Sequence, residues 1–132
     1  YGASELEDLL ELELQQTGRY VNPDPNPDKG YFYRSDHISL AKRGVPMLYA
    51  GGGFDLVNGG REAGFAFAES YRLDAYHGVA DEYDESWNLE GLNQSIDVIF
   101  SIGNKLANNS QWPNWYEGNE FKSIRDASRA GK

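Results

Sequence analysis

The sequence predicts an α/β protein built from long helices and few strands, and three observations carry that expectation. A capped, amphipathic pattern occupies residues 4–17, a second and stronger one occupies 89–107, and between them "VPMLYA", 45–50, is a short apolar run bounded by glycines. Helical periodicity at both flanks and a continuous apolar strand pattern in the middle are what an α/β unit with a buried parallel strand looks like. A chain of 132 residues is long enough for one domain with a real core.

The first element is "SELEDLLELELQQT". Ser4 and Glu7 have the spacing of a capping box, and Gly18 stands where a left-handed residue ends a helix. Leu6, Leu9, Leu10 and Leu14 share one face, opposite Glu5, Asp8 and Glu11; Leu12 and Glu13 blur the stripe. The next stretch, "YVNPDPNPDKG", 20–30, alternates proline with Asn and Asp. Each proline removes a donor and biases its neighbour away from helix, so the segment reads as an extended surface loop. Its Asx content alone does not make a calcium loop, because the spaced Glu of such loops is missing.

Ile38 to Arg43 fits one or two helical turns closed by Gly44. Val45–Ala50 then reads as a buried strand, with Pro46 tolerated near its start. It runs into Gly51-Gly52-Gly53, and ligands gather at the carboxyl ends of strands in α/β sheets. No GxGxxG or P-loop follows, so a phosphate site has no support and a close turn is the simpler reading. Residues 61–72 are weakly periodic, and 76–88 form a polar, aromatic connection. In the second strong helix, Leu92, Ile96, Ile99, Gly103 and Leu106 form the expected apolar stripe, ended by Asn108-Asn109. The tail from Trp112 ends in a basic stretch expected to fray. One parallel-type strand cannot make a sheet, so its partners are expected from another copy, through exposed strand edges, or from a larger domain. The chain opens on Tyr1 rather than Met, which fits a fragment or a processed product.

Composition narrows the chemistry. The net charge of −9 argues against nucleic acid and anionic membranes, both of which need basic patches. No apolar run reaches the roughly 18 residues of a membrane helix. With no cysteine there is no disulfide, catalytic thiol or thiolate zinc site, so any metal must be held by His and carboxylates, as in catalytic zinc centres. Aromatic residues make up 14% of the chain, and with an acidic surface they read as core and loop filling rather than a base-stacking platform. No Ser lies in a GxSxG context.

The two histidines are His37, in "RSDH" at 34–37, and His77, in "DAYHGVADEYD". Asp74, Asp81, Glu82 and Asp84 surround His77 and are candidates to orient an imidazole ligand. By spacing alone neither His makes a site, because no HExxH is present.

The order of motifs adds to this. "YGASELEDLL", "RSDHISLAKRGVPMLYAGGG", "YHGVADEYDESWNLEGLNQSIDVIFSIGNKLAN", "WPNW" and "EFKSIR" together resemble the C-terminal part of bacterial zinc-dependent aminopeptidases, the co-catalytic di-zinc exopeptidase family that also includes glutaminyl cyclases. The resemblance spans nearly the whole chain. It implies a phosphorylase/hydrolase-like three-layer αβα fold in which this chain is the C-terminal portion. It further implies His77 as a zinc ligand, Tyr76 as a catalytic hydroxyl that polarises the scissile carbonyl, and Arg34 and Asp36 as residues lining or bracing the substrate site. His37 is not a ligand in the family pattern and is expected, with Lys42 and Arg43, to cap the short helix and meet solvent. Two zinc ions, a peptide substrate and the N-terminal remainder of the catalytic domain are the implied cofactors and partners, with export to the periplasm or medium. The family's His-x-Asp motif, bridging Asp, Glu-Glu pair and further Asp ligand do not occur here and are expected before Tyr1, so this piece alone is expected to be inactive. Gly78-Val79 replaces the usual Gln-Pro-like pair. A glutaminyl cyclase, a non-catalytic relative of the same fold, and a stand-alone binding module remain as alternatives.

Overall fold

A computed structural model describes residues 2–131. It is helical: α1 spans Leu6–Gln15, α2 Ile38–Ala41, α3 Gly60–Asp74, α4 Glu90–Ala107 and α5 Lys122–Arg129, with short 3-10 turns at Pro27–Lys29 and Tyr31–Arg34. Among the described residues there is no sheet, only two isolated bridges, Ser4 with Trp115 and Leu56 with Gly60. The expected α/β, three-layer architecture is therefore corrected to an all-helical one. The reason is visible at 45–50. The run pairs with no strand and is not buried throughout: Val45, Tyr49 and Ala50 are exposed, while Met47 packs in one cluster and Leu48 in another. A strand needs a neighbouring ladder for its N–H and C=O groups. Here the Met47 carbonyl instead accepts the Ser4 hydroxyl at 3.0 Å.

The chain divides into two compact units, one of residues 1–50 with 97–132 and one of residues 51–96. In the first, α1 packs Leu10 and Leu14 on Val98 and Ile102 of α4, with Leu9, Val21, Leu48 and Leu106 at the margin. The buried stripe of α4 is thus Val98, Ile102 and Leu106, spaced i, i+4, i+8. Leu92, Ile96 and Ile99 of the expected stripe are 55%, 55% and 48% exposed, which leaves the more apolar face uncovered. The helix begins two residues after Asn88, whose Oδ1 accepts the Glu90 N–H at 2.9 Å.

The ends of α1 are held differently from a capping box. Ser4 is spent on Met47, while the Glu7 carboxylate accepts the Gly2 and Ala3 amides, the latter at 2.9 Å. Gly18, at φ 68°, is the left-handed residue expected after the helix. Mid-helix, Glu13 is buried and bonded to Lys105 and Ser101 of α4, the serine at 2.6 Å.

A second cluster sits around Trp115, which is 1% exposed and packs with Ala41 and Phe121. Its indole Nε1 donates to the Gly44 carbonyl at 3.1 Å. Gly44 ends α2 at φ 81°, and a β-carbon there would stand 2.7 Å from the Arg125 amide nitrogen, so both conformation and space demand glycine. Near the C-terminus α5 runs to Arg129, whose guanidinium lies 4.1 Å over the Trp112 ring.

In the second unit α3 is a full 15-residue helix despite its weak periodicity. It buries only Gly64, where a β-carbon would meet the Phe54 carbonyl oxygen at 2.0 Å. Phe54 and Phe65 stack at 4.9 Å. Helix propensity and local contacts, rather than an apolar stripe, sustain this element.

Two outcomes follow for the first unit. Trp115→Ala is expected to cost about 3–5 kcal/mol, and Trp115→Phe about 1–3 kcal/mol because the buried Gly44 carbonyl loses its donor, both read from denaturant unfolding. For Glu13, hydrogen bonds from Lys105 and then Ser101 lower the pKa from the ordinary 4.5. A depressed folded pKa contributes stability that is complete above 4.5 and is lost as pH falls through the lower folded value. The melting temperature of the wild type should therefore fall below pH 4.5 more steeply than that of Glu13→Gln.

Candidate functional site

The residues singled out from the sequence fall in both units. Arg34 closes the 3-10 turn Tyr31–Arg34 and Asp36 lies two residues on, both exposed, in the first unit. Tyr76 and His77 lie in the second. His37 departs from expectation: it is half-buried, its ring 4.6 Å from Phe32 and 5.1 Å from Tyr49, and its Nε2 is buried without a hydrogen-bond partner. It does stand at the N-cap position of α2, where its carbonyl accepts the Leu40 and Ala41 amides, but its ring packs on aromatics instead of meeting solvent. The Gly51–Gly53 run meets no atom within 4 Å of an added β-carbon, so no close backbone approach explains it. It opens the second unit.

The turn after α3 is where the structure concentrates chemistry. The Ala75 and Tyr76 amides both donate to the Tyr71 carbonyl, at 3.0 and 2.9 Å, and Gly78 N–H donates to the Ala75 carbonyl at 2.7 Å. His77 is held between these bonds at φ 59°, the one non-glycine residue with positive φ among those described. For a residue with a β-carbon this left-handed conformation costs about 1–2 kcal/mol, so something must hold it. Its amide donates to Asp81 Oδ2 at 3.1 Å, and Asp81 Oδ1 accepts the Tyr71 hydroxyl at 2.7 Å. The imidazole lies over the Tyr76 ring, centroids 3.9 Å apart and planes 25° apart. Tyr76 in turn is 5.9 Å from the Tyr71 ring and about half exposed.

The electrostatics follow from these bonds. The Tyr71 hydroxyl, and after it the His77 amide, lower the Asp81 pKa, so the carboxylate is ionised at neutral pH. The same bond raises the Tyr71 pKa and keeps that phenol protonated. Of the four carboxylates near His77 in sequence, Asp81 is the one bonded to it, and it holds the backbone rather than the ring. Asp74 accepts the Ser70 hydroxyl and Asp84 accepts the Ser86 amide. Tyr71 was not among the sequence candidates. The signal for it is spacing: a tyrosine three residues before the end of α3 lies one turn from the residues it must reach.

A metal makes stricter demands. Among the described residues no group of three His, Asp or Glu side chains is arranged to hold an ion. His77 fits one donor position, since its ring nitrogens have no hydrogen-bond partner among the described residues. Asp81 accepts the Tyr71 hydroxyl and the His77 amide, and no second or third donor is grouped with the His77 ring among the described residues. The chain fits one ligand of a zinc centre and not a complete centre.

Comparison with known proteins gives one match. The family model of peptidase family M28 matches residues 1–102, more than three quarters of the chain and inclusive of the His77 turn. No curated protein and no solved structure matches. The left-handed turn yields a prediction of its own: His77→Val, branched at the β-carbon, should destabilise the second unit by about 1–3 kcal/mol, whereas His77→Gly should keep the turn, as judged by hydrogen exchange at the residue 77 amide.

Proposed function

The chain belongs to peptidase family M28, a generally zinc-dependent family of hydrolases, and from that we propose that it is part of a zinc aminopeptidase that removes N-terminal residues from peptides. The observation that carries the reading is the family match across the turn that presents His77, the residue we assign as a zinc ligand. Zinc, when bound, supplies an activated water and stabilises developing negative charge. Within this chain, His77 offers the imidazole, the Tyr76 hydroxyl is the group assigned to the scissile carbonyl, and Arg34 and Asp36 are assigned to the substrate side.

The remaining donors are assigned to the rest of a larger catalytic domain, and the surface of this chain supports that. Val57 and Val79 are fully exposed, and α4 presents Leu92, Ile96, Ile99 and Phe100 to solvent. Apolar side chains left uncovered in each unit fit contact with another part of a domain. A second reading, a non-catalytic relative, accommodates the lack of a three-ligand group among the described residues equally well.

Zinc titration by calorimetry, with aminoacyl-nitroanilide turnover in the same samples, separates these readings. The expected result is weak zinc binding that His77→Ala removes, with no turnover. Zinc binding unaffected by His77→Ala would favour the non-catalytic relative. Tight binding with turnover would mean that the chain builds a complete site, and the assignment of the missing donors elsewhere would fall.

A further inference from the structure

The strained turn needs a restraint, and the family reading assigns none. We propose that Asp81 is a positioning residue for the His77 imidazole, its carboxylate bridging the Tyr71 hydroxyl of α3 to the His77 amide and so holding His77 left-handed against the Tyr76 ring. The inference rests on the reading of His77 as a metal-facing donor.

The geometry sets out the division of labour. Tyr71 is anchored in α3 and receives the Ala75 and Tyr76 amides on its carbonyl, which starts the turn. Its hydroxyl then fixes Asp81 at 2.7 Å, and Asp81 is also tied by its own amide to the Gly78 carbonyl at 3.1 Å. The remaining carboxylate oxygen takes the His77 N–H. One helical residue thus sets both ends of the loop 75–81. If the His77 amide is released, a residue with a β-carbon relaxes to the right-handed or extended region. The Cα–Cβ bond then changes direction and the imidazole leaves the Tyr76 ring. An ionised carboxylate suits the role because it accepts on both oxygens and donates on neither. Asparagine can replace it in part: its oxygen accepts the His77 amide, and its NH2 donates to a Tyr71 hydroxyl that has rotated. Alanine replaces neither bond. A side chain that orients a metal-ligating histidine typically changes metal affinity by 10–100-fold when removed.

The test uses the full chain and proton NMR of the His77 ring, followed through a zinc(II) titration. The wild type should show His77 ring protons shifted by the Tyr76 ring current and a backbone coupling typical of positive φ. In Asp81→Ala both signatures should vanish, and the zinc concentration that half-saturates the His77 shift should rise about tenfold. Asp81→Asn should retain both signatures with a smaller change in affinity. Tyr71→Phe, which frees one carboxylate oxygen, should weaken the ring shift without abolishing it. Unchanged His77 resonances in Asp81→Ala would overturn the proposal. If that variant also loses helical circular dichroism, Tyr71→Phe decides, and unchanged His77 resonances in it overturn the bridge. A ring that moves in Asp81→Ala while zinc never perturbs it even in the wild type would leave the restraint standing and remove His77 as the zinc donor.

Discussion

The indole of Trp115 is the contact on which the first unit depends. It is the largest fully buried side chain, and it joins segments far apart in sequence: α2 through Ala41, the helix-terminating Gly44 through its Nε1, and the start of α5 through Phe121. Its backbone bridge to Ser4 ties in the N-terminal segment just before α1. Ser4 then bonds the Met47 carbonyl, so the extended segment 45–50 is fastened to the same point. Burial of a ring this size supplies much of the stabilisation, and the hydrogen bond to Gly44 selects one orientation for it.

A different contact aligns the two long helices of that unit. Leu10 and Leu14 meet Val98 and Ile102 across an apolar seam, and Glu13, on the same side of α1, is neutralised by Lys105 and bonded by Ser101. A buried carboxylate without such partners would be costly, so Lys105 and Ser101 satisfy Glu13 where α1 meets α4. Lys105 is half exposed, and solvent screens the pair.

The second unit is built the other way round. It has almost no buried side chain, and local devices hold it: Gly64 beneath the Phe54 carbonyl, the Phe54–Phe65 stack, and the chain of bonds from Tyr71 through Asp81 to His77. This local order gives His77 a defined direction even though the turn is exposed and rich in carboxylates. The bonds from Tyr71 to Asp81 and from Asp81 to the His77 amide fix the backbone of this turn without help from a buried core.

From the sequence alone one can read the two flanking helices, the proline-rich loop, the left-handed Gly18, the absence of a thiolate site and the family, because caps, periodicity and motif order are local properties of the chain. Tertiary structure decided the rest. Val45–Ala50 carries a strand's composition, yet a strand exists only when a neighbour completes its ladder, and here Ser4 and two side-chain clusters claim it instead. Of the expected α4 stripe Leu106 packs on the core, but Leu92, Ile96 and Ile99 are exposed and Val98 and Ile102 are buried instead, because α1 meets the helix there, and periodicity cannot say which of two apolar faces finds a partner. The His77 turn shows both sides. Its Tyr-His motif and surrounding carboxylates are legible in order, but the choice of Asp81 and Tyr71 follows from where α3 ends in space.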